Sequence, residues 1–255
     1  MIKNIGFSLL TTQYIHSKED CRFFIGKVRE MFGDKALPRK YGPYEPNEFD
    51  FNINDIADFE ELWQEGVSWV YNFPRWHGQI ESYNDLKTTH NIIEYDFQIK
   101  KNKDAIYKDF LMILSSKYHA DFSYYCFFDD DIDYYDDNLS QISTRHLENW
   151  LPGIPWMGVF GKPYIDMFGR DKILSMPVFS VEEISEDIIF FQLTETLHEA
   201  INGYEQFAQL REKVKDHLGR QAFLSQPICD ENGDYAPAVE MLPKFDLAEP
   251  PPRHY

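Results

Sequence analysis

Positively charged residues are scarce in this sequence relative to negatively charged ones. Its 255 residues contain 25 Lys and Arg against 43 Asp and Glu, which gives a formal net charge of −18 at pH 7. A chain this acidic repels phosphate groups unless a basic patch overcomes the overall field, and no run of basic residues in the sequence would form one. The charge balance therefore argues against nucleic acid and anionic membranes as partners.

Cysteine and long apolar runs are also scarce. The three cysteines, Cys21, Cys126 and Cys229, lie far apart and form no C-x-x-C pair, so the chain lacks the disulfide framework of small secreted domains. No stretch approaches about eighteen uninterrupted apolar residues, and the short apolar run at 5–10 is followed by no cleavage site. We therefore expect a soluble protein of the reducing cytoplasm.

The familiar catalytic motifs are missing as well. There is no G-x-S-x-G, no Walker A motif and no G-x-G-x-x-G. His198-Glu199 begins like a zinc-protease helix, but Asn202 stands where the second histidine ligand is required, so we expect His198 on a helix surface. The eight histidines show no pair at ligand spacing. The sequence thus predicts no catalytic residue, no metal and no cofactor, unless the fold assembles a site.

Aromatic side chains, by contrast, are abundant. The chain has 21 Phe, 16 Tyr and 5 Trp, and aromatics make up 16% of its residues. A disordered acidic segment carries far fewer, so the charge belongs to a folded body. A chain of this length can bury one large core or two modest ones.

Hydrophobic periodicity predicts alternating strands and helices. A strand is expected at 5–12, followed by a helix that Ser17 caps and Gly33 ends. The irregular alternation along the rest of the chain predicts an α+β fold with a mixed, largely antiparallel sheet covered by helices on one face. The other expected strands are 91–100, 122–128, 156–160, 178–181 and 188–193, and the other expected helices are 56–65, 103–118, 163–174 and 204–218.

Proline marks two irregular segments. Pro38, Pro43 and Pro46 make 34–50 a predicted surface loop. The run of three prolines at 250–252 cannot belong to a regular element, so the end of the chain is expected to be extended. We therefore expect a single α+β domain at residues 1–235 and an extended, proline-rich tail at 236–255.

The most conspicuous polar segment is 129–137, which has six aspartates in nine positions. As a calcium loop it fails twice, because the turn glycine falls on Tyr134 and the closing glutamate on Ser140. Three interpretations stay open: a solvated loop, a fold-assembled metal site, and a contact surface that offers carboxylates and aromatic anchors to a basic partner. The candidate contact residues are Asp129, Asp130, Asp131, Asp133, Tyr134, Tyr135, Asp136 and Asp137.

Residues 151–174 carry a distinctive pattern. A tryptophan-containing strand leads through a Gly-x-Pro-Tyr turn into a short helix that ends in Phe-Gly-Arg. The pattern resembles a stretch in immunity proteins of bacterial polymorphic and type VI secretion toxin systems, in the group paired with DNase toxins of restriction-endonuclease fold. The matching residues are Trp156, Gly161, Pro163, Tyr164, Phe168, Gly169 and Arg170.

The resemblance implies a protein without enzymatic activity that binds a cognate toxin, a basic DNase domain, and occludes its active site. The motif residues are expected to be structural, with Trp156 and Tyr164 in the core and Pro163 at a helix start. The resemblance supplies no contact residue, but an inhibitor with a charge of −18 would be steered towards a basic cleft.

Two other functions remain in competition. One is a metal-dependent enzyme with a carboxylate and histidine site assembled by the fold, and the other is a scaffold or adaptor with several partners. The sequence carries no signal of oligomeric state.

Overall fold

Ten strands form one sheet in the computed structural model of the protein. The structure describes residues 4–71, 76–81, 90–99, 103–128, 137, 139, 146–151, 153–225, 227–229 and 232–246. The strands are β1 (Asn4–Thr11), β2 (Lys40–Gly42), β3 (Phe49–Asp50), β4 (Val67–Tyr71), β5 (Trp76–Glu81), β6 (Asn91–Gln98), β7 (Phe122–Phe128), β8 (Met157–Gly161), β9 (Ser180–Ser185) and β10 (Ile188–Gln192).

The strand order across the sheet is β3-β2-β4-β5-β6-β1-β7-β8-β10-β9. Every neighbouring pair is antiparallel. The α-helices in the described residues are α1 (Lys18–Phe32), α2 (Ala57–Glu65), α3 (Asp104–Lys117), α4 (Lys162–Phe168), α5 (Arg170–Leu174), α6 (Leu197–Asn202) and α7 (Tyr204–Leu218). The predicted α+β class with a largely antiparallel sheet is confirmed.

The first helix shows how local signals set an element's ends. The Ser17 side chain accepts a hydrogen bond from the Asp20 backbone N–H at 3.1 Å, and the Asp20 carboxylate accepts one from the Ser17 N–H at 3.3 Å. This capping box satisfies N–H groups that have no partner inside the helix. Gly33 follows the last turn with φ +83°, a conformation that glycine adopts without steric cost. Both predicted helix boundaries are confirmed.

One face of the sheet is covered by α1 and α3. Side chains at alternate positions of a strand share a face, and Phe7 of β1 lies in register with Tyr95 of β6 and Tyr125 of β7. The Phe7 ring is 5.2 Å from Phe110 of α3, and Phe24 of α1 is 6.0 Å from Tyr95. These buried aromatic contacts form the core on this face.

The opposite face carries α4. Ser123 of β7 contacts Ser115 of α3, so the neighbouring Phe122, and Phe160 in register with it on β8, point away from α3. There Tyr164 of α4 packs 5.7 Å from Phe122 and 5.5 Å from Phe160. The expectation of helices on one face is therefore wrong. β8 and β10 are buried on both sides, so each face requires a covering layer.

The structure also corrects the prediction at the β3 side of the sheet. The segment 34–50 contains β2 and β3, which have three and two residues and are too short to show a period-two pattern. No strand is predicted for β4 or β5. Gly78 interrupts the apolar alternation of β5, whereas β4 does show it at Val67, Trp69 and Tyr71, a signal that the prediction missed. The Trp69 indole needs that glycine, since a Cβ at position 78 would lie 2.3 Å from its Nε1.

The described part of the predicted tail, residues 236–246, contains no helix or strand. It is attached to the body of the protein. The Val239 N–H donates to the Asn149 carbonyl at 2.8 Å, and the Phe245 ring packs edge-on against His90 with centroids 4.4 Å apart. Residues 247–255 lie outside the described residues.

Close packing at Gly161 generates a stability prediction. A Cβ at this position would lie 2.1 Å from the Ala120 carbonyl oxygen and 2.8 Å from the Asp121 Cα, both backbone atoms. Gly161→Ala should therefore lower the free energy of unfolding by about 1–3 kcal/mol in urea titrations. Gly26→Ala is the matched control, because its Cβ meets nothing within 4 Å inside α1 and should stabilise the protein by up to about 1 kcal/mol. Equal stability of the two variants would contradict the prediction.

Candidate functional site

Of the acidic segment 129–137, Asp137 belongs to the described residues. The predicted contact residues Asp129, Asp130, Asp131, Asp133, Tyr134, Tyr135 and Asp136 lie outside the described residues. Asp137 is described, and its carboxylate accepts hydrogen bonds from Lys215 Nζ at 2.9 and 2.7 Å and from the Ile154 backbone N–H at 3.2 Å. The Lys215 side chain is only 7% exposed. Asp137 thus has a structural role, joining α7 to the chain that enters β8.

The residues of the 151–174 pattern lie mainly in the interior. Trp156 and Tyr164 are fully buried, and the Trp156 Nε1–H donates to Thr194 Oγ1 at 3.1 Å. Phe168 packs 5.5 Å from Phe160. The expectation that Trp156 and Tyr164 are core aromatics is confirmed.

The other pattern residues shape the backbone of the turn. Pro163 lies in the first turn of α4, where its missing N–H costs nothing. Gly169 has φ +88° between α4 and α5, a conformation that favours glycine. Arg170 lies at the surface and pairs with Glu183 of β9. These residues therefore build the backbone turns of the fold.

A cavity of about 520 Å³ lies where β1 ends and β7 begins. Asp121 lines it and accepts a hydrogen bond from the Thr12 N–H at 2.7 Å, and His90 Nε2 lies 3.5 Å from the same carboxylate oxygen. Burial raises the pKa of Asp121 to about 6, although the hydrogen bonds from Thr12 act in the opposite direction. Lys162 and Phe245 also line the cavity.

A buried carboxyl beside an imidazole is a pair suited to acid–base chemistry. Asp121 precedes β7 and His90 precedes β6, and both strands flank β1, so antiparallel pairing brings the two residues together. The sequence prediction missed them because they are 31 positions apart and belong to no motif. Only the strand order would have indicated their proximity.

Metal ligation finds no support in the part of the chain that the structure describes. No group of three or more His, Cys, Asp or Glu residues there is placed to hold a metal ion. His198 lies exposed on α6 with Nε2 2.7 Å from Asn202 Nδ2, as expected of a helix-surface residue.

A hairpin at the β3 end of the sheet exposes two aromatic rings. We call residues 43–50, with their flanking strand β2, the edge hairpin. Tyr44 is 74% exposed and Phe49 is 51% exposed. The hairpin is anchored beneath them, because Tyr41 is buried and packs 5.1 Å from Phe59 of α2. Ser68 of β4 further contacts the hairpin through the Asn47 side chain at 3.1 Å.

Carboxylates outnumber basic residues in the edge hairpin and the residues that follow it, although Arg39 and Lys40 lie at its start. Residues 43–58 contain five carboxylates and no Lys or Arg. Glu45 pairs with His77 at 2.9 Å and Asp50 lies 3.7 Å from Lys40. The remaining three make no ion pair with any residue that the structure describes. They are Glu48, Asp55 and Asp58.

The opposite end of the sheet differs in this respect. Phe179, which is 55% exposed, and Leu174, which is 39% exposed, lie near β9. The carboxylates of β9 are neutralised locally, since Glu182 pairs with Lys108 of α3 and Glu183 pairs with Arg170 of α5. The two carboxylates of β9 are therefore paired, whereas three of the five carboxylates in residues 43–58 make no ion pair with a described residue.

The overall architecture also occurs in a known secretion-system protein. The Pseudomonas aeruginosa T6SS protein PA0821 superposes with a TM-score of 0.55 at 7% sequence identity, over 93% of this chain and 78% of that chain. The two proteins share a fold. No protein-family model and no curated protein sequence matches the chain. Among the helices in the described ranges, none has the length and apolar character needed to cross a membrane.

Trp156 provides a test of the structural role of the pattern. Trp156→Ala should lower the free energy of unfolding by about 3–5 kcal/mol, because it leaves a cavity in the core and removes the hydrogen bond that Trp156 donates to Thr194 Oγ1. Phe179→Ala is the matched control, since an exposed ring should change stability by less than about 0.5 kcal/mol. Chemical denaturation measures both. A Trp156→Ala protein as stable as wild type would refute the assignment.

Two carboxyls, one buried (Asp121) and one half-buried (Asp96), predict how stability depends on pH. Burial raises the pKa of Asp121 to about 6 and that of Asp96 to about 7, where the charge of Glu94 adds to the effect. The folded state therefore holds these protons more tightly than the unfolded state. Each raised pKa therefore contributes to the free energy of unfolding below about pH 4, and this contribution is lost as pH rises through the pKa of the folded state.

Replacing each carboxyl with an amide should prevent this loss of unfolding free energy at higher pH. Relative to wild type, Asp121→Asn and Asp96→Asn should each gain about 1–3 kcal/mol of unfolding free energy as pH rises, with the gain complete near pH 6 and pH 7 respectively. Urea titrations from pH 4 to pH 8 measure the differences. Differences that stay constant across this range would contradict the shifts.

Proposed function

We propose that this chain is a cytoplasmic immunity protein that binds a cognate toxin of a type VI or related polymorphic secretion system and occludes its active site. The observation that carries the proposal is the fold likeness to a T6SS protein over 93% of the chain. The 151–174 pattern supports it, because the resemblance to immunity proteins falls on residues that build this fold.

The charge of the chain favours a basic partner, and a nuclease toxin is such a partner. A nuclease presents a positively charged cleft to DNA, and a chain with a charge of −18 is attracted to it. Association steered in this way reaches about 10⁸–10⁹ M⁻¹s⁻¹ at low salt. DNase and immunity pairs reach dissociation constants of about 10⁻¹³ M or below, so a stoichiometric blocker without catalytic activity suffices to protect a cell.

Co-purification tests the proposal. The chain is mixed with the effector domain encoded beside its gene, inactivated in its catalytic centre, and the mixture is resolved by size exclusion with light scattering. We expect one stoichiometric complex, and the free chain run alone gives its oligomeric state. In cells that express the active effector, the chain should restore growth. Separate elution together with no rescue would refute the proposal.

The cavity at Asp121 favours a second candidate function, an enzyme that uses the Asp121–His90 pair for acid–base chemistry. Asp121→Asn discriminates between the two, because a blocker retains rescue and an enzyme loses it. Metal analysis of protein purified without chelator, with melting shifts in calcium and manganese, adds an independent measurement. Bound metal together with loss of rescue would favour the enzyme.

A further inference from the structure

We propose that the edge hairpin is the surface that binds the basic partner, with Tyr44 and Phe49 as its anchors. The identity of the partner as a toxin rests on the proposed function. The chemistry that the surface recognises is a protein face rich in Lys and Arg. This assignment differs from the acidic segment 129–137 that the sequence singled out.

The aromatic rings are the first argument. Tyr44 is 74% exposed and Phe49 is 51% exposed, although the chain buries most of its aromatic side chains. Tyrosine and other large aromatics are enriched among the residues that contribute most to binding between proteins. Two such rings on one short hairpin offer apolar area that a partner can bury.

The rigidity of the hairpin is the second argument. Its two strands pair through Lys40 with Asp50 and Tyr41 with Phe49, and the buried Tyr41 ring is 5.6 Å from Phe49. The contact of Ser68 with Asn47 holds the connecting loop against β4. Because the backbone is already ordered, little conformational entropy is lost when a partner binds.

The charge around the rings selects the partner. Five carboxylates lie within residues 43–58, against Lys40 of β2 and the adjacent Arg39, so negative charge is in excess there. A second copy of the same hairpin would bring like charges together, so self-association at this edge is disfavoured. The two-residue length of β3 and the flanking carboxylates also oppose the addition of a strand to it. A basic protein surface satisfies the charges and the rings together.

The opposite end of the sheet supplies the comparison. Phe179 and Leu174 are exposed there as well. Two of the neighbouring carboxylates, Glu182 and Glu183, already pair with Lys108 and Arg170, which reduces the unpaired negative charge at this end. This difference directs the proposal to the edge hairpin and makes the β9 end a matched control surface.

The first experiment removes the anchors. Binding of the inactivated effector domain encoded beside the gene is measured by surface plasmon resonance for Tyr44→Ala, and for Tyr44→Ala with Phe49→Ala. We expect the double variant to bind at least about 100-fold more weakly, mainly through faster dissociation. Phe179→Ala with Leu174→Ala should change affinity less than about 3-fold. Tyr44→Ala alone guards against a folding defect, because Phe49 contacts Tyr41 and Tyr44 is the more exposed ring.

The second experiment reverses charge. Glu48→Lys with Asp55→Lys should slow association at least about 10-fold at low salt, with the difference disappearing at about 0.5 M salt. Glu186→Lys with Glu205→Lys makes the same change in net charge on exposed residues outside the hairpin. That control should slow association only about 2-fold to 3-fold, since it alters the overall charge but not the local field.

The outcomes separate the two proposals. If the wild-type chain does not bind the effector domain, the proposed function fails and the hairpin assignment fails with it. If the wild-type chain binds and the hairpin variants bind equally well, the proposed function stands and the hairpin assignment is overturned. Asp130→Lys with Asp133→Lys is measured alongside the hairpin variants. If it weakens binding and the hairpin variants do not, the contact lies on the acidic segment.

Discussion

The packing of aromatic rings around the central strand is the interaction on which the rest of the structure depends. β1 lies between β6 and β7, and its Phe7 is in register with an aromatic residue on each neighbour. The same ring meets Phe110 of α3 at 5.2 Å. Because Phe7 touches strands and a helix at once, it ties together elements that are distant in sequence. A chain with a charge of −18 has to keep its carboxylates outside such a core, and this leaves the surface to carry nearly all of the charge.

The position of β1 also explains the cavity. In an antiparallel arrangement the residues just before β6 and β7 lie beside the end of β1, so His90 and Asp121 meet there although neither belongs to a motif. The tail closes over the same place, with Phe245 against the His90 ring. Burial follows from this geometry and accounts for the raised pKa of Asp121. A shifted carboxyl is thus a consequence of how the sheet is assembled, and by itself it does not establish catalysis.

Sequence reasoning succeeded where the determining interactions are local. The Ser17 cap, the Gly33 helix end and the alternation in β6 depend on residues a few positions apart. It failed at β2 and β3, which are short, and at β5, which Gly78 interrupts. It also missed β4, although Val67, Trp69 and Tyr71 alternate there as buried residues. The edge hairpin likewise depends on contacts that are not local in sequence. Tyr41 and Tyr44 are three residues apart and equally aromatic, yet one is buried against α2 and the other is exposed. Only tertiary packing distinguishes them.

Composition gives the net charge of the chain, but only the structure shows which charges are paired and where the unpaired ones lie. Glu212 and Asp216 of α7 pair with Arg220, and Glu212 also lies 3.1 Å from Lys215. Asp137, which the sequence assigned to a contact surface, is likewise paired with Lys215. Paired charges produce fields that fall off quickly with distance, whereas unpaired charges of one sign act further. The net charge therefore overstates the field at these places more than near residues 43–58, where three of five carboxylates make no ion pair with a described residue. A partner that approaches by electrostatic attraction responds to this local excess more than to the total.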